Sequence, residues 1–106
     1  MPLKERPNVL PLEGEIDLHV SPEVAGALRT MIEKRPKIVV VDLASVTYLD
    51  SSGLAVLIEG MQKVQEYGGK FILANVQESV QHILDIARLD QVFQISPDVD
   101  SALAAN

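Results

Sequence analysis

Asp50-Ser51-Ser52-Gly53 is the stretch of this sequence whose residue types could do chemistry: a carboxylate, two adjacent hydroxyls and a glycine stand between an apolar run and a helical pattern. The amino end of a helix presents unpaired N–H groups and the positive end of the dipole, so a turn of this kind suits an anion or a phosphoryl group. A serine ahead of a helix also caps it, and one hydroxyl suffices for that. The second hydroxyl of the pair, flanked by Asp50 and an unencumbered Gly53, is left for something else to read.

Catalysis by the chain itself finds no support. A hydrolase would need the G-x-S-x-G elbow, but Leu49 and Asp50 stand where its first glycine would be, and the only histidines are His19 and His82. His82 falls on the outer face of a helical pattern, and His19 nears the turn only if two particular strands are neighbours. Glu15 and Asp17 alternate faces on a strand instead of converging on a metal, and no cysteine is present to supply a thiolate. Neither G-x-x-x-x-G-K-[ST] nor G-x-G-x-x-G occurs, so nucleotide chemistry is unsupported. The expectation is no catalytic residue, no metal and no cofactor.

The elements that must position the turn follow from periodicity. Val9 to Asp17 reads as a strand held to a sheet edge by Pro11, with a bend at Gly14. Ser21-Pro22-Glu23 carries a hydroxyl cap, a first-turn proline and an acid, which opens a helix from about Pro22 to Lys34 whose buried stripe is Val24, Leu28, Met31 and Ile32. Lys37 to Leu43 is an apolar, β-branched run without alternation, the mark of a central parallel strand covered on both faces. Ala44 to Leu49 then leads to the turn. From Gly53 to Tyr67 the residues Leu54, Leu57, Ile58, Met61 and Val64 share one helical arc, stopped by Gly68-Gly69.

Lys70 to Ala74 is a second buried strand, and Glu78 to Leu89 a third helix with Val80, Ile83, Leu84 and Ala87 inward. Val92 to Ile95 is a last strand, and Ser96-Pro97-Asp98 starts a terminal helix packing Val99, Ala102 and Leu103. Strands alternating with helices predict an α/β fold: a small, mainly parallel sheet of four to five strands with about four helices. Residues 1–8 read as a loose arm and 9–106 as a single domain.

Bulk properties narrow the partners. Of the 106 residues 47% are hydrophobic and 4% aromatic, so an aliphatic core is expected. A formal net charge of −6 works against nucleic acid and against anionic membrane surfaces. Lys34, Arg35 and Lys37 form one basic cluster, which suits the carboxyl end of a helix. No apolar run approaches the roughly 20 residues of a membrane helix, and the first residues lack a signal-peptide core. With no cysteine, this fits a cytoplasmic protein without membrane insertion.

The segments G-E-I-D-L at 14–18, V-V-V-D-L at 39–43, L-D-S-S-G-L at 49–54 and G-G-K-F-I-L-A-N at 68–75 resemble, in order and spacing, the STAS domain family and specifically its single-domain anti-sigma factor antagonists. The resemblance implies a partner-switching phosphoprotein with Ser51 as phosphate acceptor, which leaves Ser52 as the helix cap and Gly53 as room for a kinase to approach. It implies an anti-sigma factor that is also a serine kinase as one partner and a PP2C-type phosphatase as the other. Asp17 matches the acidic residue beside the acceptor. A docking surface is expected from Asp17, Leu18, His19 and Ser21, from Asp50, Ser51, Ser52, Gly53 and Leu54, and from Val56, which lies off the buried helical arc. Two departures, a short proline-bearing arm and Gln77-Glu78 in place of a Ser-Pro start to the third helix, bear on partner choice. A STAS subunit of a signalling scaffold or of an ABC-type lipid transporter is the alternative.

Overall fold

The computed structural model describes residues 8–105. The arm expected over 1–8 lies outside them except for Asn8, whose carbonyl accepts a hydrogen bond from the Val40 N–H at 2.8 Å. Among the described residues, four strands, β1 (Val9–Ile16), β2 (Ile38–Leu49), β3 (Lys70–Ala74) and β4 (Gln94–Ser96), alternate with four helices, α1 (Ser21–Ile32), α2 (Ser51–Glu66), α3 (Glu78–Ile86) and α4 (Val99–Leu103). The strands pair in parallel in the order β1-β2-β3-β4. β1 stands at an edge, where Pro11 costs no ladder bond to a second neighbour.

Both faces of β2 are covered, which is why its run is apolar without alternation. Val39, Val41 and Leu43 pack with Val24 and Leu28 of α1, Leu57, Met61 and Val64 of α2, and Val80 and Leu84 of α3. Val40 and Ile72 turn to the opposite face, where Ala102 of α4 covers them. Met31, Ile32, Leu54 and Ile58 are half-buried at the rim of the larger core.

β2 is longer than the sequence indicates: residues 44–49, read as a connection, continue the strand. The cause is visible in the register. Between Pro11 and Glu13 the partners jump from Asp42 to Ser45, and between Gly14 and Glu15 from Val46 to Tyr48. Each jump inserts an extra β2 residue, a bulge that breaks the two-residue alternation. The buried residues Leu43, Val46 and Leu49 fall three apart, a spacing that signals neither a strand nor a helix.

β3 pairs with β2 only as far as Asp42. Beyond it, side chains at the start of α3 take over: Gln77 Nε2 donates to the Ala44 carbonyl and Ser79 Oγ to the Thr47 carbonyl at 3.1 Å. The departure at Gln77 therefore has a structural use: its side chain gives the Ala44 carbonyl the partner that β3 no longer supplies.

The helix ends correct the sequence reading in several places. Ser21 does not cap α1; Val20 is the cap position and makes no side-chain bond. Asp17 does this work, its carbonyl accepting from the Ser21 N–H at 2.8 Å and its carboxylate from the His19 and Val20 N–H groups at 2.9 and 3.2 Å. α1 stops at Ile32 short of Lys34, and α3 at Ile86 short of Leu89, leaving Ala87 exposed. β4 starts at Gln94 and not Val92, while Phe93 packs on Phe71 with ring centroids 6.2 Å apart. Asp98 caps α4 through the Ser101 N–H at 2.7 Å, in place of Ser96. Gly68, at φ +85°, does end α2 as expected.

Candidate functional site

Because β1 and β2 run parallel and adjacent, their carboxyl ends deliver two turns to one place. Ile16 pairs with Leu49, and the Asp50 N–H donates to the Ile16 carbonyl at 3.2 Å. The Asp17-Leu18-His19 turn and the Asp50-Ser51-Ser52-Gly53 turn are thus neighbours, which is the condition the sequence left open for His19. His19 itself is exposed, and His82 lies exposed on α3.

Asp50, not Ser52, caps α2. Its Oδ1 accepts from the Ser52 N–H at 2.9 Å, the Gly53 N–H at 3.0 Å and the Ser52 hydroxyl at 2.5 Å. The Ser52 hydroxyl above all, then the Gly53 N–H, hold the Asp50 carboxyl below the ordinary 3.8, against a smaller opposing effect of burial; the Ser52 and Leu18 N–H groups add to the lowering. The two serines are thereby separated. Ser52 is half-buried and committed to Asp50, whereas Ser51, at the first position of α2, is exposed and its hydroxyl forms no hydrogen bond among the described residues.

Gly53 faces the interior, which corrects the idea that it clears a path for a partner. A Cβ built there would stand 2.7 Å from the Ile16 carbonyl oxygen and 3.2 Å from Leu49 Cδ2. Glycine is what lets α2 start directly against the end of β1. Of the other expected surface residues, Ser21 is 5% exposed and so lies beneath the surface. Leu54 and Val56 are half-buried, Val56 in the seam between α1 and α2 beside Leu28 and Arg29. Leu18 stands out, 69% exposed, and Tyr48, which the sequence reading left out of the site, is 45% exposed opposite Glu15 on β1. The signal was an aromatic next to the motif in a chain with 4% aromatics; the bulges that turn it outward cannot be seen in the sequence.

The electrostatics of this pole are one-sided. No Lys or Arg occurs in residues 7–28, 38–62 or 71–87, the stretches that build the carboxyl ends of β1, β2 and β3 and the turns beyond them. A phosphate on Ser51 would find carboxylates nearby and no cation from these segments. Among the described residues, no three His, Cys, Asp or Glu side chains are grouped to hold a metal ion, and no helix is long and apolar enough to cross a membrane.

The STAS domain family profile matches residues 1–102. The chain belongs to the STAS domain family. It is 30% identical over 98 residues to the anti-sigma F factor antagonist of Paenibacillus polymyxa, covering 92% of this chain and 81% of that protein. To the anti-sigma-B factor antagonist of Bacillus subtilis it is 31% identical over 85 residues, 80% of this chain and 77% of the other. Among solved structures, an anti-sigma factor antagonist from Mycobacterium paratuberculosis superposes with a TM-score of 0.82 at 26% identity, covering 94% of this chain and 86% of that one.

In this STAS domain the cap has a pH signature. Asp50 titrates lower folded than unfolded, so its stabilisation is complete above the unfolded value near 3.8 and is lost as pH falls through the folded value. Asp50→Asn, which keeps a capping oxygen without the charge, should show a shallower acid loss of stability below about pH 4. Urea unfolding at pH 7 and pH 3 reads this out; parallel pH profiles for the two proteins would mean that the carboxylate is not coupled to folding.

Proposed function

We propose that this STAS domain is an anti-sigma factor antagonist that works as a non-catalytic binding module in the cytoplasm. Unphosphorylated, it docks on and sequesters an anti-sigma factor that is also a serine kinase; phosphorylated on Ser51, it lets go; a PP2C-type phosphatase restores it. The observation that carries this reading is the division of labour in the turn: Ser51 is an exposed hydroxyl without a hydrogen bond among the described residues, while Ser52 is tied to Asp50. The names of the relatives from Paenibacillus and Bacillus support the partner class.

The test is phosphate transfer. Incubated with the cognate anti-sigma kinase and ATP, the chain should take up one phosphate, located by fragmentation mass spectrometry on Ser51. Phosphate on Ser52 instead, or none on Ser51, would overturn the assignment.

The docking surface is formed in this proposal by Asp17, Leu18, His19, Asp50, Ser51 and Leu54, with Tyr48 added. Exposed aromatic and aliphatic side chains inside a polar surround are where interfaces concentrate their affinity. Tyr48→Ala is therefore expected to weaken docking at least tenfold, about 1.4 kcal/mol, while leaving the thermal midpoint within a few degrees because the side chain is nearly half exposed. Titration calorimetry with the anti-sigma partner, alongside thermal unfolding, measures both; unchanged affinity places Tyr48 outside the interface.

A further inference from the structure

Among the described residues, cations collect at the end of the molecule opposite the switch. Lys34, Arg35 and Lys37 follow α1, Lys63 lies in the last turn of α2, and Lys70 opens β3, its N–H donating to the Lys37 carbonyl at 2.8 Å. All strands being parallel, their amino ends meet at this pole and their carboxyl ends at the other. On the chain-dipole reading Arg35 would cap its own helix. The structure turns it elsewhere: at φ +50° the chain leaves α1, and the guanidinium lies over the Tyr67 ring, 5.9 Å from its centroid.

That pair is held in place. The Tyr67 hydroxyl donates to the Pro36 carbonyl at 2.8 Å, and burial pushes its pKa up, so it stays a neutral donor. Gly69 is pressed against the same ring, since a Cβ there would lie 2.8 Å from Tyr67 Cε1. Two open hollows meet at Arg35 and Tyr67. One, of about 210 Å³, continues past Lys37 and Gly68-Gly69. The other, of about 680 Å³, runs to Lys63 between Glu33 and Glu66.

We propose that this trough, centred on Arg35 stacked on Tyr67 with Lys37 and Lys63 at its two ends, is a second docking surface that takes an acidic segment of a partner protein. Cations in both hollows, with the Arg35 guanidinium over Tyr67 shared between them, fit an extended chain better than a single anion. The carboxylates of Glu33 and Glu66 in its wall repel a uniform anionic plane such as a membrane or a nucleic-acid backbone. A peptide whose acids are spaced can meet the cations and avoid both. A guanidinium already ordered on an aromatic loses less freedom on binding than a loose lysine. Because the trough and the Ser51 turn occupy opposite ends of β2, one partner at each can bind at once, and the state of Ser51 should not matter here.

The test uses the full chain labelled with ¹⁵N and a synthetic peptide alternating Glu with Ala. Amide shifts are expected at 33–35, 37, 63 and 66–70 and not at 50–54, with equal affinity for wild type and Ser51→Asp, and affinity falling with salt. Lys37→Glu with Lys63→Glu should lose at least tenfold in affinity. Tyr67→Leu should lose several-fold with every cation retained, Tyr67→Phe less, and Arg88→Glu, beyond α3 and outside the trough, almost nothing; circular dichroism confirms that each variant is folded. Equal losses for Arg88→Glu and Tyr67→Leu would mean unspecific charge attraction and overturn the proposal. So would shifts elsewhere, or tighter binding to phosphatidylglycerol vesicles than to the peptide. Loss of phosphate transfer to Ser51 with trough binding intact would count only against the switch, so the two readings fail separately.

Discussion

Ser51→Asp is expected to dock on the anti-sigma partner about 100-fold more weakly than the unmodified chain, while Ser51→Ala docks as tightly as wild type and accepts no phosphate. The reason is where the charge is placed. Phosphorylation adds about −1.5 to −2 at neutral pH. At a helix start such a charge is normally welcome, but here the Asp50 carboxylate already takes the Ser52 and Gly53 N–H groups. The added charge is left without those amides and, among the described residues, meets no Lys or Arg from the segments that build this end of the sheet. Desolvating it at an interface at a cost of even ~3 kcal/mol corresponds to the 100-fold change.

The domain itself should not respond. Ser51 is exposed, so the phosphorylated chain and Ser51→Asp should keep the wild-type thermal midpoint to within a few degrees. Affinity by calorimetry and unfolding by circular dichroism, measured on the same three proteins, separate the two effects. Equal affinity for all three would falsify charge-controlled docking.

Gly53→Ala should be the most damaging conservative change near the site, through folding and not through lost chemistry. Alanine is the better helix former by roughly 0.8–1 kcal/mol, which on its own would stabilise α2. Against that, the new methyl would sit 2.7 Å from the Ile16 carbonyl oxygen, a backbone atom that cannot turn aside. Overpacking of this kind costs about 1–3 kcal/mol, so a net loss is expected, read as a midpoint lower by several degrees. The amino end of α2 must move off β1, and both the Asp50 cap and the Asp50 N–H bond to Ile16 move with it.

Gly26 in α1 supplies the contrast. A Cβ built there meets nothing within 4 Å beyond its chain neighbours and its own helix backbone, so Gly26→Ala should stabilise the chain by about 0.5–1 kcal/mol. Destabilisation by both substitutions, or by neither, would show that the close approach at Ile16 is not what requires glycine at 53.

Much of this was legible in the residues. Apolar runs and helical arcs placed the strands and helices to within a few residues, except for the carboxyl half of β2, because burial on one or both faces leaves a periodic trace that its bulges interrupt. Pro11 marked the edge strand and Gly68 the end of α2, each through a backbone constraint that belongs to the residue itself. Where a helix starts is less legible, since a hydroxyl and a carboxylate compete for the same N–H groups. Ser21, Ser52 and Ser96 each carried the expected signal, but the capping or supporting bonds came from Asp17, Asp50 and Asp98.

The D-S-S-G turn and its place after a buried strand and before a helix were determined by local sequence, as were the motifs that carry the STAS resemblance, from which the proposal of Ser51 as acceptor comes. Tertiary structure alone decided four things. Parallel pairing of β1 with β2 brought Asp17 beside Asp50 from 33 residues away; bulges turned Tyr48 outward; and packing against Ile16 made Gly53 a structural necessity. It also gathered Arg35, Lys37 and Lys63 around Tyr67. Periodicity reports which face a residue presents to the core. Register, close backbone approach and the meeting of distant turns arise only when strands are set side by side, and no neighbour in sequence carries that information.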